Sequence, residues 1–352
     1  MNEIFLDEEG VRQKFFPLTH TRSLADLRIG ILTLREKWEI FYQCKIFTGE
    51  DQGSAISIPA NWIPNPGLVD FINRSKTSPV KDSIEAKTVT SLDYPWDIFK
   101  YNGGEIRNDF SNITRGRASE PIPSSVTALS TQNIFIEKGA KLEHVHLNAL
   151  QGPIYIGRNA EIMEGSLLRG PVAVCEGATV KMGTIIYGGT TLGPHVVAGG
   201  EIKNSILLEY SNKAHHGYLG DSVIGAWCNL GAGTSNSNLK NNAGSIKVWV
   251  ESEGNFVEAG QKCGLFMGDF SRSAINTSFN SGTVVGICCN VTASGLTPKY
   301  IPHFSWSATE MYTLEKLIKD LRAWKKLKNQ VLSDEEIQAL GHIFEQNKGN
   351  RT

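Results

Sequence analysis

The chain has 352 residues, 40% of them hydrophobic, and its 35 basic side chains nearly balance 36 acidic ones. This length is enough for two domains with buried cores. A formal net charge of -1 provides no electrostatic footprint for nucleic acid or for an anionic membrane, so we expect neither as a partner.

Targeting signals and cysteine pairs are missing from the sequence pattern. The opening stretch MNEIFLDEEGVRQKF is acidic and lacks an unbroken apolar core, so it does not predict a signal peptide. No apolar run approaches the roughly 20 residues that a membrane helix needs. The six cysteines form no CxxC pair, which argues against a disulfide scaffold and a structural zinc site. We therefore expect a reduced, cytoplasmic protein without a metal site.

Residues 1–116 predict a mixed α/β domain. An apolar IFL strand precedes LADLRIGILTLREKW, which has a helical pattern. Asn65 and Pro66 give an N-cap and first-turn signal for a helix that runs toward Asn73. The stretch WDIFKYNGGEIRNDF predicts another helix, and residues 117–132 form a linker.

An aliphatic residue recurs every six positions in the middle of the chain. The first run comprises Ile156, Ile162, Leu168, Val174, Val180, Ile186 and Leu192. A small or β-branched residue follows each of them by four positions. An amphipathic helix would instead repeat at three and four positions. The repeat predicts a parallel β-helix over residues 133–300, with three flat sides per coil and with the repeating residues inside.

The repeat is interrupted twice. It stops after Ala198, restarts at Ile224, and restarts again at Met267. In repeat proteins such interruptions commonly build the binding face. We predict that Glu201–Val223 and Ser235–Gly264 are loops or irregular coils that leave the prism.

Residues 301–352 predict a helical hairpin. Ser307–Glu310 reads as a capping box for the first helix and Ser333–Glu336 as one for the second. The apolar stripe of the first helix comprises Met311, Leu314, Ile318, Leu321 and Trp324. We expect the hairpin to close the open end of the β-helix or to pack on a neighbouring chain.

The hexapeptide repeat and the stretch KAHHGYLGDSVIGAWCNLGAGTSNSN together resemble one known family. This is the GlmU-like family of bifunctional N-acetylglucosamine-1-phosphate uridylyltransferases and glucosamine-1-phosphate acetyltransferases, in its acetyltransferase half. The whole chain looks most similar to a divergent bacterial subgroup with names such as sugar nucleotidyltransferase or glucose-1-phosphate thymidylyltransferase. The resemblance implies a left-handed β-helix, a homotrimer, and acetyl-CoA as cosubstrate. The matching motif residues are His215, Tyr218, Leu219, Gly220, Asp221, Ile224, Gly225, Asn229, Gly231, Ala232, Gly233, Thr234 and Asn238.

The resemblance also implies chemical roles. Acetyl transfer from a thioester to an amine needs a base and a donor for the thioester oxyanion. His215 matches the family's catalytic histidine, and Glu201 matches the glutamate that orients it. Substrate contacts are implied for Lys203, Tyr218, Asn229, Asn238 and Lys240. The pantetheine groove is implied for Ala232, Gly268 and Asp269.

Several positions depart from the family pattern. The arginine that grips the sugar phosphate has no counterpart in register, because Arg169 lies one coil too early. Lys240 is likewise out of register with the family's second sugar-site lysine. His216 takes a leucine position and is read as a bystander. A purely structural role for His215, as a corner residue of the coil, stays an open alternative.

The N-terminal region resembles the family least. Sugar nucleotidylyltransferases hold the triphosphate on a G-x-G-T-R loop, with a lysine in a following P-K-x-L. The region DEEGVRQKFFPLTHTRSLADL keeps Pro17, Leu18 and Thr19 but has neither the glycine-rich loop nor the lysine. No Asp pair for Mg²⁺ follows. We read it as a reduced nucleotidyltransferase-like domain, which would need Mg²⁺ only if it were active.

Three functions of different kinds remain. The favoured one is acetyl-CoA-dependent N-acetylation of an amino sugar 1-phosphate for cell-envelope sugar-nucleotide synthesis, with His215 as the base. The alternative is a sugar-1-phosphate nucleotidylyltransferase for UTP or dTTP, built around Arg12, Thr19 and Arg22. The third is a non-enzymatic scaffold that binds a sugar nucleotide.

Overall fold

The computed structural model describes residues 4–49, 56–75, 89–307 and 310–348. The N-terminal region is an α/β unit around a parallel sheet in which Ile4–Asp7 lies between Ile46–Phe47 and Ile56–Pro59. Short antiparallel pairs join Arg28–Ile29 to Leu32–Thr33 and Trp62–Ile63 to Thr90–Ser91. Short 3-10 turns cover Arg12–Phe15, Leu24–Asp26, Thr131–Asn133 and Glu251–Glu253.

The helices of this unit are α1 (Leu34–Tyr42), α2 (Pro66–Ser75) and α3 (Pro95–Thr114). The predicted α2 signal is confirmed, because the Leu68 amide donates to Asn65 Oδ1 at 3.0 Å. LADLRIGILTLREKW was expected to be helical throughout, and this expectation is wrong for its first half. Gly30 has a φ of +80° and turns the chain between two short strands, so the helix begins only at Leu34.

The predicted parallel β-helix is confirmed, and its coils form three faces. The site face contains Thr127–Leu129, His146–Asn148, Leu167–Arg169, Ile185–Ile186, Glu201–Lys203 and Tyr218–Gly220. The docking face, named for the N-terminal region that packs on it, contains Ile134–Ile136, Ile154–Ile156, Val172–Val174, Thr190–Leu192, Ile206–Leu207, Val223–Ile224, Leu265–Met267, Thr283–Val285 and Tyr300–Ile301. The hairpin face, named for the C-terminal helical hairpin that packs at its edge, contains Lys141–Leu142, Glu161–Ile162, Thr179–Val180, Val197–Ala198, Asn212–Lys213, Asn229–Leu230, Arg272–Ser273, Asn290–Val291, Ser305–Trp306 and Glu310–Met311.

The first interruption of the repeat does not leave the prism, so that prediction is wrong. Ala198 pairs with Val180, 18 residues earlier, but with Lys213 only 15 residues later. Asn229 then pairs with Asn212, 17 residues earlier. The coils stay stacked because they lose residues at their corners rather than gaining a loop. A hexapeptide count cannot follow such shortened coils.

The second interruption is a loop only in part. Ser235–Asn236 still pairs with Ser278–Phe279, and the two strands continue the site face. The chain then leaves the prism as an antiparallel hairpin of Ile246–Val250 and Asn255–Gly260. Inward side chains of this hairpin pack with the N-terminal core rather than with the interior of the β-helix.

The two boundaries of the β-helix also differ from the expectation. Its first strand, Thr127–Leu129, lies within the predicted linker. At the other end α4 spans Leu314–Leu327 and is capped by Thr313. The expected capping box at Ser307–Glu310 is wrong as a helix start, because Glu310–Met311 is a strand; its central residues 308 and 309 lie outside the described residues.

Helix α5 spans Asp334–Asn347 and has the predicted Ser333 capping box. Most of the stripe expected for α4 is confirmed, because Leu321 is buried and Met311, Leu314 and Ile318 are partly buried against the same cluster. The stripe omitted Leu317, which is also buried there. These two helices pack on the corner between the docking and hairpin faces, where Phe270 and Phe304 are buried. They therefore lie along the side of the last coils.

The three faces of the prism have different neighbours. Helix α3 crosses the docking face, where Asn102 Nδ2 donates to Gly189 O at 2.7 Å and Phe99 stacks near Phe266. The site face instead exposes a series of large apolar side chains, namely Leu129, Leu167, Ile185 and Tyr187. In the described part of the chain no helix has the length and apolarity needed to cross a membrane.

Candidate functional site at the His215 corner

His215 lies on a corner of the β-helix, between Asn212–Lys213 of the hairpin face and Tyr218–Gly220 of the site face. His215 and His216 are both exposed. The corner rests on Gly199 and Gly200 of the preceding coil. A Cβ on Gly200 would lie 2.8 Å from the His215 carbonyl oxygen and 2.7 Å from that of Gly217. Glycine is required there because the two backbones touch, which fixes the height of the His215 corner.

Glu201 lies on the neighbouring strand of the site face, opposite Tyr218 in the parallel register. Among the described residues no hydrogen bond or ion pair joins Glu201 to His215. The two residues lie on adjacent coils. Catalytic hydrogen bonds are often long before substrate binds. The pairing of His215 with Glu201 therefore stays a prediction.

Tyr218 and Asn238 meet beside this corner. Asn238 Nδ2 donates to Tyr218 Oη at 3.0 Å and to Asp221 Oδ2 at 2.6 Å. A carboxylate only accepts hydrogen bonds, so Asp221 fixes the amide orientation and leaves Asn238 Oδ1 as an acceptor. The Tyr218 hydroxyl receives a hydrogen bond, so its own proton can be donated to a ligand. Burial raises the pKa of Tyr218 to about 12, which keeps the hydroxyl protonated.

The sequence motif contained Asp221 but gave it no role. Asp221 is buried and has a φ of +48°, a conformation that Asp tolerates better than most residues. It also accepts a hydrogen bond from Asn204 Nδ2 at 2.7 Å. The signal in the sequence is an Asp directly after the Tyr-Leu-Gly triplet, since Asp is among the residues that best tolerate the positive φ of a tight corner.

The candidate phosphate-binding cations lie along the exposed site face. Lys203 and Arg169 are both exposed. The strand Ile185–Ile186 lies between their strands, and Tyr187 follows it. Two steps between adjacent strands correspond to about 10 Å. Arg169 is therefore one coil further from Lys203 than an adjacent cation would be, as expected from the sequence.

Two other predicted substrate contacts lie apart from Tyr218. Asn229 is on the hairpin face, between Asn212 and Arg272 in the register. The Lys240 ammonium donates to the backbone oxygen of Ser245, within the segment that follows Asn238. One chain therefore brings together Tyr218 and Asn238 but not Asn229 or Lys240.

The predicted pantetheine residues lie on two different corners. Ala232 follows Asn229–Leu230, whereas Gly268 and Asp269 precede Arg272–Ser273, the strand paired with it. Asp269 is buried, and its carboxylate accepts from the Ala226 amide at 2.7 Å and from Arg22 Nη2 at 2.8 Å. Its side chain is thus committed to the docking of the N-terminal region.

The polar residues of the N-terminal alternative also have internal partners. Arg12 Nη2 donates to Thr19 O at 2.9 Å, and Thr19 Oγ1 donates back to Arg12 O at 2.8 Å. Arg22 Nη1 contacts Glu209 at 2.7 Å, and the same guanidinium holds Asp269. These contacts fix a loop and a domain interface.

A groove of about 530 Å³ lies at the carboxyl end of strand Ile4–Asp7. Ligands of open parallel α/β sheets bind at this kind of edge. Here the groove is lined by three carboxylates, those of Asp7, Glu8 and Glu9, and by one cation, Arg12. Glu8 accepts hydrogen bonds from the Leu24 and Ala25 amides at 2.5 and 3.3 Å. The excess of carboxylates over the single cation disfavours an anionic triphosphate.

His20, Glu251 and His303 form a cluster whose potential ligand atoms lie within 4.8 Å of one another. The Ile287 amide donates to His303 Nδ1 at 3.0 Å, so the Nε2 of this ring carries the proton. His303 Nε2 lies 2.8 Å from Glu251 Oε2 and donates to it. The pKa of Glu251 falls to about 2, because hydrogen bonds from both histidines outweigh its burial. The arrangement suits a hydrogen-bonded junction better than a metal centre.

The sequence is similar to sugar nucleotidyltransferases in its N-terminal region and to bifunctional GlmU proteins over part of its length. A family model described as sugar nucleotidyl transferase matches residues 4–81. The bifunctional protein GlmU of Methanococcus maripaludis is 32% identical over 195 residues, which are 55% of this chain and 41% of that protein. GlmU of Methanocaldococcus jannaschii is 36% identical over 118 residues, 34% of this chain and 28% of that protein.

A bifunctional sugar-1-phosphate nucleotidylyltransferase/acetyltransferase of Sulfurisphaera tokodaii is 36% identical over 144 residues, 39% of this chain and 34% of that protein. The matches support a GlmU-like family assignment. The matched segment spans less than half the length of each of these relatives. A solved Arabidopsis UDP-N-acetylglucosamine acyltransferase is matched over 66% of this chain and 98% of its own, at 14% identity and a TM-score of 0.20, which is too low to support any conclusion about this chain.

Proposed function

We propose that the protein is a transferase that moves an acetyl group from acetyl-CoA to the amine of an amino sugar 1-phosphate. The observation that carries the proposal is the His215 corner. There an exposed histidine lies beside a hydrogen-bonded Tyr218–Asn238 pair, on the face that also carries Glu201 and Lys203. The Sulfurisphaera tokodaii relative is a bifunctional sugar-1-phosphate nucleotidylyltransferase/acetyltransferase by name, and its acetyltransferase function supports the same reaction class.

The proposed chemistry uses each of these groups once. His215 takes a proton from the attacking amine while the nitrogen bonds to the acetyl carbon, and the thiolate of CoA leaves with the electrons of the broken C–S bond. Glu201 would orient the imidazole, and Lys203 would pair with the sugar phosphate. Tyr218 would donate a hydrogen bond to the sugar and Asn238 Oδ1 would accept one.

We also propose a homotrimer, because a single chain leaves the site incomplete. Asn229 lies on the hairpin face and Gly268 on a corner distant from Ala232. A neighbouring prism against the site face would cover the exposed Leu167, Ile185 and Tyr187. The Ala232 amide, for which we find no acceptor within the described part of the chain, would contact the pantetheine arm.

The test is thiol release from acetyl-CoA with glucosamine 1-phosphate. Wild type and His215→Ala are compared, with His216→Ala as the matched control on the same corner. Loss of a general base predicts a fall in turnover of about 10²- to 10⁴-fold for His215→Ala. His216→Ala should stay within about threefold of wild type. Equal rates in His215→Ala and wild type would contradict the proposal.

A second candidate is nucleotidyl transfer to a sugar 1-phosphate, favoured by the family model that matches residues 4–81. The assay is Mg²⁺-dependent pyrophosphate release from UTP or dTTP with glucose 1-phosphate or N-acetylglucosamine 1-phosphate. Release that is lost in Arg12→Met but kept in His215→Ala would support it. Binding of a sugar nucleotide without turnover, unaffected by His215→Ala, would favour a scaffold.

A further inference from the structure

Lys213 is a lysine in the interior of the β-helix. Its side chain points inward from the hairpin face, at the position that Ala198 occupies one coil earlier and Leu230 one coil later. Only 2% of the residue is exposed. Among the described residues no carboxylate pairs with its ammonium. An interior charge without a counter-ion is unfavourable, so its retention needs a reason.

The ammonium lies in a gap left by a shortened corner. Ala198 and Ile202 are four positions apart, whereas Val180 and Ile186, at the same places one coil earlier, are six apart. The shortened corner contains Gly199 and Gly200. The next corner, which carries His215, has the full six positions from Lys213 to Leu219. The six-position corner that carries His215 therefore extends further out than the shortened Gly199–Gly200 corner beneath it.

Lys213 joins these two corners. Its Nζ donates to the Gly199 oxygen at 3.0 Å and to the His215 oxygen at 2.5 Å. The coils on both sides bind the same corner, because the Glu201 amide donates to Gly217 O at 3.1 Å and the Gly233 amide to His216 O at 3.2 Å. The backbone that carries His215 is thus held by an ammonium from inside and by amides from two coils.

We propose that Lys213 is a positioning residue that sets the His215 backbone against the Gly199–Gly200 corner. The catalytic part of this inference rests on the proposed acetyl transfer. Misplacing a reacting group by about 1 Å can cost about 10²-fold in rate, so loss of this tie should lower turnover. Substrate contacts should persist, because Asn238 is held by Asp221 and in turn donates to the Tyr218 hydroxyl, independently of Lys213.

The experiment compares wild type with Lys213→Met, which fills the gap without charge, and with Lys213→Gln, which keeps an N–H donor. The control is Lys181→Met, an exposed lysine directly after Val180 on the equivalent corner. We expect kcat to fall about tenfold or more in Lys213→Met, with KM for the sugar phosphate changed by less than about twofold. Lys213→Gln should lie between this variant and wild type.

Hydrogen exchange supplies a readout that does not depend on activity. The amides of Glu201 and Gly233 should exchange faster in Lys213→Met, and amides near Val180 should not change. Unchanged exchange, or unchanged kcat in an active enzyme, would overturn the proposal. A wild type without acetyl transfer would overturn the proposed function instead, and exchange would still decide whether Lys213 holds the corner.

Discussion

The N-terminal region and the His215 corner both carry polar residues, but their side chains are used differently. Arg22 is held by Glu209 and Asp269 of the solenoid. Arg12 and Thr19 each donate to the other's backbone oxygen, and Arg12 also lies 3.8 Å from Glu8. At the corner, His215 and Lys203 are exposed, and among the described residues neither side chain forms a hydrogen bond or an ion pair. A polar side chain with an internal partner stabilises the folded structure, whereas an exposed side chain without one is accessible to a ligand.

This difference gives the two candidate activities unequal structural support. A nucleotide site that used Arg22 would need it to be released from Glu209 and Asp269, and phosphates in the N-terminal groove would lie beside Asp7 and Glu8 as well as Arg12. The proposed acetyltransferase site needs no such rearrangement of Tyr218 and Asn238. Evidence that Arg12 or Arg22 binds a ligand would contradict the structural role assigned to them here.

The largest expected effect on stability follows from removing Arg22. Arg22→Met leaves Asp269, which is 1% exposed, and Glu209 without their cation. Breaking a buried pair on one side typically costs about 3–5 kcal/mol, so the free energy of unfolding should fall by about 3 kcal/mol. Urea denaturation of the intact chain measures it.

The double variant Arg22→Met with Asp269→Asn should recover part of that loss, because the uncompensated charge is removed. The control is Arg107→Met, an exposed arginine of α3. If Arg22→Met abolished pyrophosphate release without lowering stability, Arg22 would belong to a nucleotide site and the comparison would fail.

The regular part of the fold could be predicted from the sequence, and the shortened coils could not. A constant six-residue period follows from stacked coils of equal length, so Ile156 to Leu192 identified the prism. The corner that contains Gly199 and Gly200 is two residues shorter than the equivalent corner one coil earlier, and this interrupts the period. A count of positions then places Glu201–Val223 outside the prism, although the coil stays stacked.

The pH dependence of stability should separate Lys213 from ordinary lysines. Burial lowers the pKa of Lys213 to about 8 from an ordinary 10.5. Between these values the unfolded chain binds a proton that the folded chain lacks, so stability rises with pH. Below pH 8 the folded state contains the buried charge, and Lys213→Met avoids that cost.

The measurement is the difference in unfolding free energy between Lys213→Met and wild type at pH 7.5 and pH 10, where titrations common to both proteins cancel. The stability of the variant relative to wild type should fall by at most about 3 kcal/mol from pH 7.5 to pH 10, because wild type gains stability over this range. A difference independent of pH would mean that Lys213 titrates as an exposed lysine does.

The site was predictable only as far as local motifs reach. The motif around Tyr218 and Asn238 gave residues that meet in space, because both follow one continuous run of coils. Asp269 was assigned to a cofactor groove, and its actual partner, Arg22, lies 247 residues away in the chain. Contacts between domains leave no short-range pattern, so the commitment of that carboxylate could not be read from the sequence.

The smallest expected effect is a change in KM on removing a cation from the exposed site face. Lys203→Met should raise KM for the sugar phosphate about tenfold with little change in kcat, because an exposed charge-assisted contact is worth about 1.4 kcal/mol. Arg169→Met should raise it less, since Arg169 lies two strand steps from Lys203. The KM of wild type should rise with salt, and that of Lys203→Met should rise less steeply. Equal effects of the two variants would mean that the anionic group spans both cations, about 10 Å apart, and is longer than a single phosphate.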